Sequence, residues 1–146
     1  MKISEILASK KSAKIHSIGP DRPIHEAVAL MTEHDIGSLV VMEGGKMVGL
    51  LTDRCVVRGL SATGCNLCNT LVGEVMFREP AVGHPDDPVD QARRLMIDRH
   101  TNHLPIADEN GMVGIISFYD VAKTVLSETE FENKLLKGYI KNWPES

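Results

Sequence analysis

The stretch Val113-Gly114-Ile115-Ile116-Ser117-Phe118-Tyr119-Asp120 is a short apolar run that ends at a serine and, three residues later, at a carboxylate. Its apolar residues predict a buried strand, and the residues from Phe118 to Leu126 continue with helical periodicity. We therefore expect a strand to pass directly into a helix at this point. Because the first N–H groups of a helix have no partner within the helix, such a junction can hold an anion.

Two interpretations of Ser117 and Asp120 are open. In the first they form a capping box, in which the serine caps the helix and the acid reaches back to the end of the strand. In the second, the serine hydroxyl and the helix N–H groups hold a phosphate, while the acceptor oxygens of Asp120 bind the hydroxyls of a ribose. The second interpretation describes a nucleotide site.

The same pattern occurs earlier in the chain. Met47-Val48-Gly49-Leu50-Leu51-Thr52 lies 65 residues before the corresponding run from Met112 to Ser117, and the match extends without a gap. Identical pairs at this offset are Pro20/Pro85, Asp21/Asp86, Pro23/Pro88, Ala27/Ala92, Leu30/Leu95, Met31/Met96, Leu39/Leu104, Met47/Met112, Val48/Val113, Gly49/Gly114 and Val56/Val121. So many matches at one offset indicate a tandem duplication.

Each copy has the predicted order β-α-β-β-α. A helix begins near the proline of each Asp-x-Pro sequence, where a missing N–H does no harm. Two apolar runs around a glycine-containing turn then predict a hairpin of buried strands, and a second helix closes the copy. The hairpin strands are Leu39–Met42 with Met47–Leu51 and Leu104–Ala107 with Met112–Ile116; the closing helices are Asp53–Leu60 and Phe118–Leu126.

A leading strand is predicted at Ala13–Ile18 and, more weakly, at Pro80–Gly83. Short apolar segments precede these strands, and they are 69 residues apart, so four extra residues fall in a loop between the copies. We divide the chain into a first repeat (1–62), an inter-repeat loop (63–71), a second repeat (72–127) and a C-terminal segment (128–146). Neither copy can bury its sheet alone, so we expect the copies to pack face to face.

The C-terminal segment has apolar residues at helical spacing, Phe131, Leu135, Leu136 and Tyr139 or Ile140, among charged ones. It predicts an amphipathic helix that covers its own domain or a second subunit, and we favour the second subunit.

Composition excludes several classes of protein. A net charge of −4 with 4% aromatic residues provides no basic, aromatic surface for nucleic acid. No apolar run approaches the length of a membrane span, and the first residues do not resemble a signal peptide. We therefore expect a cytoplasmic protein that contacts neither nucleic acid nor membrane. The six histidines do not form a metal set.

The cysteines are odd in number, which argues against a disulfide framework. Cys65 and Cys68 form a CxxC in a loop-like stretch, which can be a redox pair or half of a zinc site. No second motif completes a metal set. Plain loop cysteines, a labile disulfide and a metal half-site all remain open.

The two copies resemble a tandem pair of CBS domains (cystathionine β-synthase-type domains), most closely the small stand-alone bacterial members. The motifs that carry the resemblance are His34-x-Ile36-Gly37-Ser38-Leu39-Val40-Val41, Gly49-Leu50-Leu51-Thr52-x-Arg54, His103-Leu104-Pro105-Ile106 and Gly114-Ile115-Ile116-Ser117-x-x-Asp120. The resemblance covers almost the whole chain. It implies an α/β fold of two repeats about a pseudo-twofold axis, which dimerises into a flat disc.

The resemblance also implies a regulatory module that binds an adenosyl compound (AMP, ADP, ATP, NAD or S-adenosylmethionine) between the repeats. One implied pocket joins Ser117 and Asp120 to residues of the first repeat: Lys14, Ile15, His16, Gly37 and Ser38. A second implied pocket joins Thr52 and Arg54 to Ala81, Val82, Asn102 and His103. In that second pocket Cys55 stands where Asp120 does, and a thiol is a poor acceptor for ribose, so we expect one ligand per chain.

The leading functional hypothesis is therefore a non-enzymatic sensor that uses the nucleotide as a regulatory ligand and forms a homodimer. It would signal to a regulated protein partner by a change of conformation. One alternative is a redox- or metal-responsive interaction protein that uses Cys65 and Cys68. Another is a structural dimerisation module in which Ser117 and Asp120 serve as a helix cap.

Overall fold

The computed structural model describes residues 1–10 and 14–141 and has a mixed α/β architecture. Within these ranges each half of the chain has a short helix, a helix, a β-hairpin and a closing helix, in that order, and a leading strand is formed in the first half. The elements are α1 (Ile3–Ser9), β1 (Ser17–Ile18), α2 (Ile24–His34), β2 (Ser38–Glu43), β3 (Lys46–Thr52), α3 (Asp53–Thr63), α4 (Val72–Val75), α5 (Val89–Asp98), β4 (His103–Asp108), β5 (Gly111–Ser117) and α6 (Phe118–Lys141).

The two predicted hairpins are confirmed and share one geometry. β2 pairs antiparallel with β3, and β4 pairs antiparallel with β5. Ser38 is opposite Thr52 in the first hairpin, as His103 is opposite Ser117 in the second. Both ladders also shift register at equivalent points, between Val41 and Met42 and between Ile106 and Ala107. The duplication therefore extends to the bulge that bends each hairpin.

The leading strands are shorter than predicted. β1 is confined to two residues, and its Ile18 pairs in parallel with Val41. In the second repeat the predicted strand Pro80–Gly83 is reduced to a single parallel bridge from Gly83 to Ile106. Ala13 of the first predicted strand lies outside the described residues. In each repeat the leading segment therefore pairs with the hairpin over only one or two residues, and the paired positions are equivalent in the two repeats.

Each repeat has its own apolar core, and that core is completed by a helix from the other repeat. Ile3 and Ile6 of α1 are fully buried among Val89, Met96 and other residues of the second repeat. Val72 of α4 is buried in the first-repeat core in the same way. Backbone bonds fix the exchange: the N–H of Ile3 donates to the carbonyl of Asp87, and equivalent bonds hold α4 beside α2. The two repeats therefore pack together by exchanging helices: α1 lies in the second-repeat core and α4 in the first-repeat core.

Gly49 and Gly114 lie where the exchanged segments cross the hairpins. A Cβ on Gly49 would lie 2.5 Å from Met76 Sδ and 2.7 Å from the Phe77 carbonyl oxygen. A Cβ on Gly114 would lie 2.9 Å from Leu7 Cδ2. Real Cβ contacts are not this short, so the Phe77 backbone excludes a side chain at Gly49, whereas a side chain at Gly114 would require the end of the Leu7 side chain to shift.

The closing helices are longer than predicted. α3 continues to Thr63, beyond the predicted end at Leu60 and into the predicted inter-repeat loop. The predicted helix Phe118–Leu126 and the predicted C-terminal amphipathic helix are one continuous helix, α6. Its outer part exposes Leu135 and Leu136, while the side chains of Phe131, Tyr139 and Ile140 lie outside the described part. Nothing in Ser127–Glu128 breaks a helix, since neither glycine nor proline occurs there.

Among the helices that the structure describes, none combines the length and the apolar character needed to cross a bilayer.

Candidate functional site

A cleft of about 1040 Å³ opens between the two repeats. Its first wall is the segment before β1 and the turn between α2 and β2. Its second wall is the junction of β5 with α6, together with α1. The seven residues of the first predicted pocket all line it: Lys14, Ile15, His16, Gly37, Ser38, Ser117 and Asp120.

The β5–α6 junction forms the capping box that the sequence allowed. The Ser117 hydroxyl oxygen accepts a hydrogen bond from the Asp120 N–H at 3.1 Å. In return, the Ser117 N–H donates to Asp120 Oδ2 at 2.8 Å. This reciprocal pair satisfies two backbone donors at the start of α6. Capping does not exclude ligand binding, because a carboxylate has further acceptor sites.

Lys10 is the second partner of Asp120. Its Nζ lies 3.0 Å from Asp120 Oδ2 and donates to the Ile115 carbonyl oxygen at 2.8 Å. Burial would raise the pKa of Asp120, but the Ser117 N–H and Lys10 together outweigh burial and hold the pKa below its usual value. Asp120 is thus an ionised carboxylate that lines the cleft.

The opposite wall carries a pair of stacked histidines. The rings of His16 and His34 have centroids 3.9 Å apart and an interplanar angle of 25°. Partial burial lowers the pKa of His16, and the neighbouring His34 and Lys14 lower it further. His16 is therefore neutral at physiological pH, when an imidazole offers one donor and one acceptor.

His103 lies between the repeats and lines the first cleft, although the sequence assigned it to the second pocket. A Cβ added at Gly37 would be 3.0 Å from His103 Cε1, so the ring packs directly on the backbone of the first repeat. Burial lowers the pKa of His103 more strongly than Asp53 and Asp120 raise it. The small residue at position 37 therefore makes room for a neutral imidazole.

The structure does not open the second predicted pocket in the same way. Arg54 crosses between the repeats, and its Nη1 donates to the His100 carbonyl oxygen at 2.9 Å. The residues equivalent to Arg54 and His100 are Tyr119 and Asp35, which both line the open first cleft. The position that is open in one half is thus bridged in the other.

The remaining residues of the second predicted pocket are dispersed among other roles. Thr52 is buried and caps α3, and Ala81 packs against the second-repeat core. Val82 is exposed, while the Asn102 carbonyl oxygen accepts from the Phe118 N–H at 2.8 Å. Cys55 is 2% exposed, in the first-repeat core.

Several cleft residues were missed by the sequence analysis. Lys10 was not predicted, because its partner Asp120 is distant in sequence and no motif links them. His34 was taken as a surface residue; it is exposed, but it also lines the cleft. Lys123 and Thr124 follow Asp120 by three and four residues on α6, a spacing that places residues on one helix face and could have indicated them.

The loop cysteines Cys65 and Cys68 are exposed free thiols. No group of three or more histidine, cysteine or acidic residues in the described ranges could hold a metal ion. A redox role for the CxxC remains a prediction.

The family model for the CBS domain matches the chain twice, at residues 3–62 and 72–127. The chain belongs to the CBS-domain family. This CBS pair is 34% identical over 116 residues to the CBS domain-containing protein YhcV of Bacillus subtilis. The matched region covers 80% of this chain and 82% of that protein.

Solved CBS structures share the fold. A protein with CBS domains from Burkholderia ambifaria is 27% identical with a TM-score of 0.82, over 87% of this CBS pair and 95% of that chain. The CBS domain pair of protein MJ0100, solved in complex with 5′-methylthioadenosine and S-adenosyl-L-methionine, is 25% identical with a TM-score of 0.72. That match covers 88% of this CBS pair and 98% of the other chain.

Proposed function

We propose that this CBS pair is a regulatory module that binds an adenosyl compound in the cleft between its repeats. Asp120 would bind the ribose, the start of α6 would hold a phosphate, and the wall formed by residues 14–16, Gly37 and Ser38 would contact the adenine. Binding would favour one arrangement of the repeats, and a regulated protein would respond to that arrangement.

The observation that carries this proposal is the state of Asp120. A carboxylate with a lowered pKa that lines a cleft of about 1040 Å³ suits the two hydroxyls of a ribose. The adenosyl ligands of the MJ0100 pair support the same class of compound. AMP, ADP, ATP and NAD belong to this class with S-adenosylmethionine.

We propose binding without catalysis. The Ser117 hydroxyl serves as a helix cap, and no histidine of the described ranges forms a hydrogen bond to it. A serine nucleophile usually passes its proton to a histidine, and the Ser117 hydroxyl has no histidine partner among these residues.

The test is thermal unfolding of the purified protein with AMP, ADP, ATP, NAD, NADH and S-adenosylmethionine, with Asp120→Asn alongside. A ligand at 100 times its Kd stabilises the folded state by about 2.7 kcal/mol, which shifts the midpoint by a few degrees. We expect a shift in the wild type that is lost in Asp120→Asn. The absence of a shift with every compound would overturn the proposal.

We also propose that the chain forms a homodimer through the outer faces of α5 and α6. Ile97 on α5 is 54% exposed and Leu126 on α6 is 60% exposed. Large exposed apolar side chains on neighbouring helices are typical of subunit interfaces. Light scattering should give a mass of two chains, and Leu126→Glu should reduce it to one; a monomeric wild type would contradict this part of the proposal.

A further inference from the structure

Lys10 occupies a position that matters for the chemistry of the ligand. It follows α1, and its ammonium group contacts both Asp120 and the Ile115 carbonyl oxygen on the second repeat. The lysine side chain is 29% exposed and the aspartate side chain 18% exposed. The ion pair is therefore only partly hydrated, and its charges are less screened than those of surface residues.

An ammonium group has three N–H donors. Two of them account for the contacts with Asp120 Oδ2 and Ile115, which leaves one donor for another acceptor. A ribose that binds Asp120 would lie beside Lys10, because the two side chains are in contact. A phosphate there would gain a charge-assisted hydrogen bond, whereas a sulfonium would meet a like charge.

Apart from Asp120, the described charged residues that line the cleft are more exposed than Lys10. The cations Lys14 and Lys123 and the carboxylates Glu5, Asp35 and Glu128 are all exposed on its rim. Exposed charges are largely screened beyond about 8 Å at physiological ionic strength. Their opposite signs also offset one another. Among the described cations that line the cleft, Lys10 is therefore the least exposed, and its charge is the least screened.

On the basis of the proposed function, we propose that Lys10 makes this cleft selective for adenosyl ligands that carry a phosphate on the ribose. Uncharged 5′-methylthioadenosine lacks the group that Lys10 would bind. Cationic S-adenosylmethionine brings a positive centre to the same place. The ligand class is thus a nucleotide, as distinct from the thioether and sulfonium ligands of the MJ0100 pair.

The experiment is calorimetric titration of the full chain with AMP, 5′-methylthioadenosine and S-adenosylmethionine. It compares the wild type with Lys10→Gln, Lys10→Arg and the control Lys46→Gln, which removes an exposed charge from the turn of the first hairpin. We expect the wild type and Lys46→Gln to bind AMP at least about tenfold more tightly than 5′-methylthioadenosine. Lys10→Gln should lose this preference by weakening AMP alone, and Lys10→Arg should retain most of it.

The outcomes separate this inference from the function on which it rests. Equal binding of AMP and 5′-methylthioadenosine by the wild type, or an unchanged preference in Lys10→Gln, would overturn the role of Lys10 and leave an adenosyl sensor in place. Failure of all three compounds to bind the folded wild type would overturn the proposed function and this inference with it. Retained preference in Lys10→Arg distinguishes a charge effect from a folding defect.

Discussion

The two strand–helix junctions began as copies of one another and now differ at one decisive side chain. Thr52 and Ser117 cap their helices in the same way, since each hydroxyl oxygen accepts from the N–H three residues later, at 3.2 Å and 3.1 Å. Beyond the cap they diverge: Cys55 points into an apolar core, whereas Asp120 faces a cleft and a lysine. A conserved backbone motif thus supports a packing role in one half and a polar site in the other.

The strongest test of this difference is Cys55→Asp, which makes the first junction match the second in sequence. Position 55 is 2% exposed, and the thiol contacts the Thr52 hydroxyl and the Leu50 carbonyl; no cation of the described residues forms an ion pair there. An unpaired carboxylate buried there should cost about 3 kcal/mol or more of unfolding free energy. Urea denaturation would measure this, with Cys55→Ala as the control that loses only packing, at about 1–2 kcal/mol. A stable Cys55→Asp protein that binds a second nucleotide would contradict our account.

Asp120→Asn should have the next largest effect, and its effect is on binding. Asparagine keeps an acceptor for the Ser117 N–H, so the cap is largely retained, but the charged partner of ribose is lost. We expect nucleotide affinity to fall by about tenfold or more, with little change in stability. Asp120→Ala should lose both the affinity and about 1 kcal/mol of stability, because the structure shows that the acid is also a capping group. Calorimetric titration and urea denaturation of both variants would separate the two roles.

Thr52→Ala and Ser117→Ala form a matched pair of cap deletions. Each should reduce the unfolding free energy by about 1 kcal/mol, because each leaves one helix N–H without its side-chain acceptor. Ser117→Ala should also weaken nucleotide binding, and Thr52→Ala should not. Equal losses of affinity in both variants would indicate that the two junctions are still functionally equivalent.

The smallest expected effect is a pH dependence of the unfolding free energy that comes from His103 in the second repeat. His103 is equivalent to Ser38, which does not titrate. Burial lowers the pKa of His103 in the folded state below its ordinary 6.5, so the unfolded chain binds a proton first as the pH falls. The related stability is present above about pH 6.5 and is lost as the pH falls below it. Urea midpoints at pH 7.5 and 5.5 should show this decrease in the wild type, and His103→Ser should make it smaller.

The parts of the fold that depend on local periodicity could be predicted from the sequence. The offset between Gly49 and Gly114 defined the repeat, and the apolar runs around each turn gave both hairpins in the correct order. The exchange of α1 and α4 could not be predicted in the same way. A short apolar segment indicates that it is buried, but its sequence does not indicate which of the two cores buries it. The continuity of α6 was also missed, although Ser127 and Glu128 give no stop signal.

The site divides along a similar line. Residues that belong to the motifs of the family resemblance, such as Ser117, Asp120 and Gly37, were predicted and line the cleft. Lys10 depends on a contact across the whole length of the chain, and His34 on the stacking of two rings, so neither follows from local sequence. His103 was predicted for the second pocket and also lines the first cleft, because its ring lies between the repeats and its backbone position alone does not determine which cleft it reaches.

The exchange of α1 and α4 has a consequence for the origin of the chain. If one ancestral repeat packed its leading helix on a second copy of itself, it formed a domain-swapped homodimer with the same two cores. Fusion of the two genes would then need no new core contact, only a linker, and the loop that contains Cys65 and Cys68 lies where that linker belongs. After fusion the two halves were no longer bound to remain identical, and this freedom allowed a buried thiol in one half and a carboxylate in the other.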